Sequence, residues 1–125
     1  MPPKILFVDD DTDLLKLSVM RLKAQQFDVI IASDGMQAVA KAHKEKPDLI
    51  VLDINMPAGN GISVYSKLKM STNTSIIPII FITASRDPEM RSSLEKMGAE
   101  SILFKPFETD VLVEKVRQVL HLEPS

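Results

Sequence analysis

The sequence predicts a single α/β domain in which a parallel β-sheet lies between two layers of helices. The chain has 125 residues, of which 45% are hydrophobic, and this is enough for one ordinary domain with its own core. Short apolar runs and segments with helical periodicity alternate along it. Such alternation is typical of parallel strands joined by right-handed helical crossovers. The predicted fold class is a three-layer α/β sandwich, with one domain over residues 1–125.

Short runs rich in Ile, Val and Leu predict the strands. Nearly continuous apolar runs are typical of strands that are covered on both faces of a sheet. In chain order, the runs are Ile5–Val8, Val29–Ala32, Leu49–Leu52, Ile79–Ile82 and Ile102–Phe104.

The segments that follow these runs predict the helices, because apolar residues recur in them at the i, i+4, i+7 spacing of an amphipathic helix. The spacing occurs at Leu15, Val19 and Leu22, at Met90, Leu94 and Met97, and at Leu112, Val116 and Val119. The pattern is weaker in 36–43 and 62–70. Helix N-termini are predicted by residues that commonly cap them. These are Asp11 or Thr12, Ser33 or Asp34, Asn60, Asp87 before Pro88, and Thr109 or Asp110.

Glycines and a proline shape the predicted loops. Met56-Pro57 turns the chain away from the third strand, and Gly59 and Gly61 are interpreted as residues that serve loop geometry. Gly98 is interpreted as the end of the fourth helix.

Charge and composition argue against several other classes of protein. The formal net charge is -2, and the scattered Lys and Arg residues do not indicate a nucleic-acid or membrane surface. The chain has no cysteine, so disulfides and thiolate metal sites are excluded. The start MPPKILFVDD has no signal-peptide pattern, and no apolar run approaches the roughly 20 residues of a membrane span. We therefore expect a cytoplasmic protein whose partners are proteins or small molecules.

Acidic residues follow two of the predicted strands. Asp9 and Asp10 come directly after the first apolar run, and Asp53 comes directly after the third. Ligands of open parallel sheets bind outside the carboxyl ends of the strands. If the strand order is 2-1-3-4-5, the first and third strands are neighbours and the three carboxylates meet in one pocket.

Three carboxylates in one pocket indicate a metal site. They repel one another and would be driven toward their neutral forms unless a cation lay among them. Oxygen ligands favour a hard ion, and Mg²⁺ suits a site with few carboxylates and several retained waters. The sequence therefore predicts a magnesium site at this edge of the sheet.

Two further residues, each at the carboxyl end of a predicted strand, extend the predicted site. Thr83 follows the fourth run and Lys105 follows the fifth, and both a hydroxyl and a mobile ammonium can bind phosphoryl oxygens. Together with a metal and with Asp53 as nucleophile, they predict a site of phosphoryl transfer.

Four motifs in this order resemble those of the receiver domains of two-component response regulators. They are VDDD, DINMPAGNG, FITA and GAESILFKPF, and each lies at the carboxyl end of the appropriate run. The resemblance covers almost the whole chain. It implies a flavodoxin-like, doubly wound (βα)5 fold with the parallel strand order 2-1-3-4-5.

The resemblance also implies the function of the acids. Asp53 would accept a phosphoryl group from a phosphohistidine on a sensor histidine kinase or a histidine phosphotransfer protein. Mg²⁺, or Mn²⁺, would be ligated by Asp10, Asp53 and the backbone carbonyl of Asn55, with Asp9 acting through water. The protein would not be an enzyme in the usual sense, since it would catalyse only its own phosphorylation and dephosphorylation.

The resemblance implies equally specific roles for the residues after the last two strands. Thr83 would move toward the acyl phosphate, and the small Ala84 would leave access to it. Lys105 would bind a phosphoryl oxygen, and its peptide bond to Pro106 is expected to be cis.

Partners and output are implied only in outline. The conformational change would act on a downstream protein target or a fused output domain, without direct nucleic-acid or membrane binding by this domain. A homodimer through helix 4, strand 5 and helix 5 is a further expectation. The start of the sequence favours a true N-terminus.

The sequence departs from the family at Ile102. Receivers usually carry Tyr or Phe three residues before the Lys, and the ring swings inward when the Thr moves. A β-branched aliphatic residue has fewer rotamers and no ring, and Phe104 is interpreted as a core residue rather than a replacement. We therefore predict that Asp53 is still phosphorylated but that the conformational output is weaker or follows another route.

The residues argue against two other functions and leave a third open. A phosphatase with an aspartyl nucleophile needs a general acid two residues after it, and the amide of Asn55 cannot supply a proton in that way. A flavodoxin-like carrier needs a phosphate-binding loop after the first strand, where the acids of DDDTD would repel a phosphate. A receiver-shaped interaction module that is never phosphorylated stays open as the alternative.

Overall fold

The computed structural model describes residues 2–56 and 61–124, and it shows the predicted alternation of strands and helices. The strands are β1 (Lys4–Val8), β2 (Asp28–Ala32), β3 (Leu49–Asp53), β4 (Ile79–Thr83) and β5 (Ser101–Phe104). The helices are α1 (Thr12–Ala24), α2 (Gly35–Glu45), α3 (Gly61–Lys69), α4 (Pro88–Lys96) and α5 (Thr109–Val119). In the described part of the chain, no helix has the length and apolar character needed to cross a membrane.

The strands form one parallel sheet in the order β2-β1-β3-β4-β5. Val8 of β1 lies beside Leu52 of β3, and Thr83 of β4 lies beside Phe104 of β5. All strands therefore end at the same edge of the sheet. The predicted flavodoxin-like order is confirmed.

Two hydrophobic cores lie on opposite faces of the sheet, and β3 contributes to both. Ile50 and Leu52 belong to the core beneath α2, α3 and α4, which we call the α2–α4 core. Leu49 and Val51 belong to the core beneath α1 and α5, which we call the α1–α5 core. Side chains of a strand point alternately to the two faces, so the continuous apolar run of β3 serves both layers, as predicted for a three-layer sandwich.

The two outer strands are less buried than their apolar runs suggest. The prediction that all five strands are covered on both faces holds for β3 and β4, whose residues are all buried, and for the predicted run Ile5–Val8 of β1, which is also fully buried. In β2, however, Ile31 is 44% exposed, and three of the four residues of β5 are only partly buried. Both are edge strands, which have a neighbouring strand on one side only.

Side chains cap three of the helices as predicted. Each of these residues accepts a hydrogen bond from a backbone N–H of the first helical turn, which otherwise lacks a partner. The caps are Asp11 for α1, Asp34 for α2 and Asp87 for α4. Asn60, the predicted cap of α3, and the turn at 57–59 lie outside the described residues.

The predicted cap of α5 is wrong. Thr109 and Asp110 lie inside the helix, and Glu108 precedes it without a side-chain cap. Asp110 instead pairs with Arg21 of α1, with a nitrogen–oxygen distance of 2.5 Å. The carboxylate therefore connects two helices of the same layer rather than ending one of them.

Candidate functional site

Two buried carboxylates lie side by side at the carboxyl edge of the sheet. Val8 of β1 pairs with Leu52 of β3, so the residues that follow them, Asp9 and Asp53, are neighbours across the two strands. Asp9 is 0% exposed and Asp53 is 1% exposed. An ionised carboxylate is costly to bury unless a cation or hydrogen bonds compensate its charge.

Asp10 completes a cluster of three acids. A carboxylate oxygen from each of Asp9, Asp10 and Asp53 lies within 4.8 Å of the others. Oδ2 of Asp9 is buried and accepts no hydrogen bond from the described residues. Carboxylate oxygens at this spacing, one of them exposed and two buried, fit the ligand set that Mg²⁺ prefers. The donors therefore suit the metal that the sequence predicts.

Lys105 supplies a positive charge to two of these acids. Its Nζ lies 3.1 Å from Oδ2 of Asp53 and 3.0 Å from Oδ2 of Asp9. The contact with Asp53 is a hydrogen bond, whereas the contact with Asp9 is an ion pair without hydrogen-bond geometry. The peptide bond between Lys105 and Pro106 is cis, as the resemblance implies.

Burial and neighbouring charges together set the pKa values of Asp9 and Lys105. Burial raises the pKa of Asp9 from 3.8 to about 6, against the opposing effects of the Asp11 N–H and of Lys105. Burial by itself would lower the pKa of Lys105, but the close contacts with the charged carboxylates of Asp9 and Asp53 outweigh it, so that this pKa is raised. The lysine therefore remains a cation at neutral pH, held by the acids around it.

The side chain of Asn55 contacts the start of the loop between β4 and α4. Its Oδ1 accepts a hydrogen bond from the Thr83 hydroxyl and another from the Ala84 N–H, each over 3.3 Å. The backbone N–H of Asn55 donates to Oδ1 of Asp53 over 2.9 Å. These side-chain contacts are not predicted from the sequence, in which the one available signal is an amide two residues after the candidate nucleophile.

A series of short-range hydrogen bonds continues from Thr83 to the start of α4. The Ser85 N–H donates to the Thr83 hydroxyl over 3.0 Å, and the Asp87 N–H donates to Oγ of Ser85 over 3.3 Å. The Glu89 N–H then donates to Oδ1 of Asp87, the cap of α4, over 3.0 Å. The orientation of the Thr83 hydroxyl is thereby connected to the first turn of α4.

Gly61 allows α3 to begin close against the end of β3. A Cβ atom at this position would lie 2.4 Å from the backbone oxygen of Asp53 and 2.6 Å from Cα of Ile54. Such distances are far below van der Waals contact. Gly61 is therefore needed for this close approach of two backbone segments, and not for loop geometry as the sequence analysis proposed.

Phe104 is not a core residue, contrary to the sequence analysis. Its side chain is partly exposed, and alternation along β5 puts it on the same face of the sheet as Ile102. Arg86 lies 5.1 Å and Arg91 5.8 Å from the centre of its ring, within the range of cation–π attraction. Ile102 itself packs against the α2–α4 core. The ring lies at the open end of an edge strand, which explains why it is not enclosed.

Comparison with known proteins identifies related sequences. A family model described as "Response regulator receiver domain" matches residues 5–117. The transcriptional regulatory protein PrrA of Mycobacterium bovis is 37% identical over 123 residues, which cover 98% of this chain and 52% of PrrA. The chain thus spans about half the length of the curated relatives that it matches.

Solved structures show the same architecture. Chemotaxis protein CheY4 of Vibrio cholerae superposes with a TM-score of 0.89 at 30% identity, covering 95% of this chain and 99% of that one. The receiver domain of the sensor histidine kinase PA1611 from Pseudomonas aeruginosa has a TM-score of 0.87 at 26% identity, covering 97% and 99%. That structure is described as having a magnesium ion coordinated in its active-site cleft.

Proposed function

The chain belongs to the family of response regulator receiver domains, and from this premise we propose that Asp53 accepts a phosphoryl group from a phosphohistidine. The donor is a sensor histidine kinase or a histidine phosphotransfer protein, and residues 1–125 act as one phosphoacceptor domain. The observation that carries the proposal is the contact of buried Asp53 with Nζ of Lys105, at 3.1 Å. This contact supports the proposal, because a carboxylate that can act as a nucleophile and a cation that can bind phosphate lie together in the cleft.

Asp53 acts as the nucleophile. One of its carboxylate oxygens forms a bond to phosphorus while the bond between phosphorus and the histidine nitrogen breaks. The imidazole leaves as a neutral group, because its other ring nitrogen carries the proton. The hydrogen bond from the Asn55 N–H to Oδ1 of Asp53 restricts the orientation of the carboxylate, and such fixed orientation is a main source of rate in phosphoryl transfer.

Lys105 and the start of the β4–α4 loop bind the transferred group. The ammonium of Lys105 already lies at the carboxylate that receives the phosphoryl group, so it can move to a phosphoryl oxygen with little displacement. The hydroxyl of Thr83 and the N–H of Ala84 point toward one shared acceptor. Donors that are arranged in advance stabilise the charge of the transition state without reorganisation.

The three acids provide the metal site. Asp10, Asp53 and the backbone carbonyl of Asn55 would hold Mg²⁺ or Mn²⁺ directly, and Asp9 would act through water. When bound, the ion would neutralise the negative charge that a phosphoryl group brings to the carboxylate cluster. The fit of the three carboxylates and the magnesium described in the cleft of the PA1611 receiver domain support this proposal.

The catalytic activity of the domain is limited to its own phosphorylation and dephosphorylation. Receiver domains are not enzymes in the usual sense, since the group that reacts is their own side chain. The family match favours this function over a receiver-like interaction module that is never phosphorylated.

The output passes through protein contacts. Relatives at this similarity are named as transcriptional or DNA-binding regulators, and they are about twice as long as this chain. We propose that the phosphorylated domain acts on a fused output domain or a separate target protein, and on itself as a homodimer through α4, β5 and α5. The reading frame that encodes the chain distinguishes a fused domain from a separate target.

Intact mass measurement after incubation with acetyl phosphate and Mg²⁺ tests the proposed phosphorylation. We expect a mass increase of one phosphate, which disappears on treatment with hydroxylamine because an acyl phosphate is labile to it. The same increase is expected with a phosphorylated histidine phosphotransfer protein as donor.

Three comparisons make this experiment specific. Asp53→Asn is expected to gain no phosphate, and omission of the metal with EDTA should slow the gain strongly. Asp34→Asn is the matched control, because Asn also caps helices well and α2 lies outside the acid cluster. A phosphate gained equally by Asp53→Asn, or no gain by the unaltered chain, would overturn the proposal.

A further inference from the structure

The side-chain oxygen of Asn55 interacts with the two donors that, in the proposed function, bind a phosphoryl oxygen. Its Oδ1 accepts hydrogen bonds from the Thr83 hydroxyl and the Ala84 N–H at the same time. A backbone N–H can only donate, so the amide atom that faces Ala84 must be the oxygen. Two donors from consecutive residues thus converge on one oxygen atom of a side chain that is itself exposed at the cleft.

We propose that the Asn55 side chain is a positioning residue whose amide oxygen holds these two donors in the unphosphorylated protein and is displaced by a phosphoryl oxygen. The proposal rests on the proposed function, because it requires that Asp53 carry the phosphoryl group. It assigns to this side chain a role separate from that of its backbone carbonyl in the metal site.

The exchange of acceptors is favoured by charge. An amide oxygen is a neutral acceptor, whereas a phosphoryl oxygen is anionic, and hydrogen bonds to charged groups are about twice as strong as those between neutral groups. Thr83 is fully buried, so its hydroxyl needs an acceptor in both states. Asn55 satisfies it before phosphorylation and thereby keeps the loop in one arrangement.

Release of Asn55 also gives the signal a route that does not depend on an aromatic residue at position 102. The Thr83 hydroxyl accepts from the Ser85 N–H, and the hydrogen bonds continue through Asp87 to the first turn of α4. A shift of Thr83 and Ala84 toward a new acceptor therefore moves the residues that begin α4.

Two substitutions separate the acceptor from the space that Asn55 fills. Asn55→Ala removes both the oxygen and the bulk, whereas Asn55→Leu removes the oxygen and keeps the same number and branching of side-chain heavy atoms. Both leave the backbone N–H and carbonyl of the residue in place. Asp34→Asn is the control, because Asp34 caps α2 and lies outside both the acid cluster and the series of hydrogen bonds from Thr83 to α4.

The first measurement is the amide proton shift of Ala84 by NMR in the free protein. Loss of its acceptor is expected to move this resonance upfield in both Asn55 variants. The second is the affinity for beryllofluoride, a phosphoryl mimic, at saturating Mg²⁺. We expect Asn55→Ala to bind it about three- to tenfold more tightly than the unaltered chain, since two weak hydrogen bonds need not be broken. Asp34→Asn should bind it within about twofold of the unaltered chain.

A third observation completes the test. With beryllofluoride bound, the Ala84 amide should resonate at the same position in the unaltered chain and in both Asn55 variants, because its acceptor is then the mimic in each. An unchanged Ala84 shift in the free variants, a persistent difference at saturation, or equal or weaker binding by Asn55→Ala would each overturn the proposal. If the unaltered chain binds no beryllofluoride, the proposed function itself is wrong, and the free-protein shift shows separately whether Asn55 holds the donors.

Discussion

Lys105 and Asp53 are 52 residues apart in the sequence, yet Nζ of the lysine lies 3.1 Å from Oδ2 of the aspartate. The same Nζ lies 3.0 Å from Oδ2 of Asp9. One ammonium therefore compensates two buried carboxylates. The stability of the metal-free protein should depend on this balance, and each member of it can be altered separately.

Replacement of Lys105 should destabilise the metal-free protein. Lys105→Met keeps a long apolar stem but removes the charge, which leaves two buried acids without a cation. Because the lysine side chain is 23% exposed, we expect the free energy of unfolding in EDTA to fall by about 1–3 kcal/mol, less than for a fully buried pair. Urea denaturation in EDTA and in saturating Mg²⁺ measures this change in the free energy of unfolding. The loss of unfolding free energy should be smaller with Mg²⁺. The control Lys96→Met, on the exposed surface of α4, should change the free energy of unfolding little. Equal losses with and without Mg²⁺ would contradict the expectation.

Replacement of Asp9 should have the opposite effect. Its pKa is raised to about 6 by burial, so above that pH the folded protein holds an ionised carboxylate at a cost. Asp9→Asn should stabilise the metal-free protein at pH 7.5 by about 1–3 kcal/mol. The gain should shrink as the pH falls through about 6, where Asp9 becomes protonated in the unaltered fold. Urea denaturation in EDTA from pH 7.5 to 4.5 tests this, with exposed Asp28→Asn as the control; a gain that does not depend on pH would argue against it.

Two glycines should differ in their effect on phosphorylation. At Gly61 a Cβ atom would meet the backbone of Asp53 at 2.4 Å, so Gly61→Ala should displace the acid and slow labelling by acetyl phosphate about tenfold or more. Gly98 has a φ of +96°, as expected for the residue after α4, and Gly98→Ala should cost about 1–2 kcal/mol of stability. Labelling of Gly98→Ala should nevertheless proceed at nearly the original rate. Similar labelling rates of the two variants would show that the approach at Gly61 is not needed for the position of Asp53.

Phosphorylation should perturb Phe104 more than Ile102. Phe104 lies directly beside Thr83 in the register of β4 and β5, and its ring is near Arg86 and Arg91. Ile102 is two residues deeper and packs against the α2–α4 core. We expect large changes in the Thr83 methyl and Phe104 ring resonances on addition of beryllofluoride with Mg²⁺, and small changes in the methyl groups of Ile102. Shifts of Ile102 as large as those of Thr83 would show that this position takes part in the switch without an aromatic ring.

Much of the fold could be predicted because the relevant signals are local. The apolar run before Asp53 and the periodic segments between runs each predict an element from neighbouring residues alone. The strand order is not local, since alternating strands and helices can be wound in several orders, and here it came from the resemblance. The exposure of Ile31 is likewise not a local property, because an apolar run does not show whether its strand lies at the centre or at the edge of the sheet.

The candidate site was predicted to the extent that it follows from strand ends. Asp9, Asp10 and Asp53 were expected to meet because each follows a strand, and the structure brings them together. The contact of the Asn55 side chain with Thr83 depends on how two loops approach each other, which no periodicity describes. The apolar side chain of Phe104 predicts burial in the core. Its position at the end of an edge strand instead leaves it partly exposed.

The division of β3 between two separate cores has a consequence for protein engineering. Leu49 and Val51 contact one helical layer, while Ile50 and Leu52 contact the other. A library that varies the residues of α1 and α5 therefore repacks against one set of strand side chains and leaves the opposite set with its original neighbours. The two surfaces of the domain can be redesigned in separate rounds, with the acidic cleft kept as a constant between them.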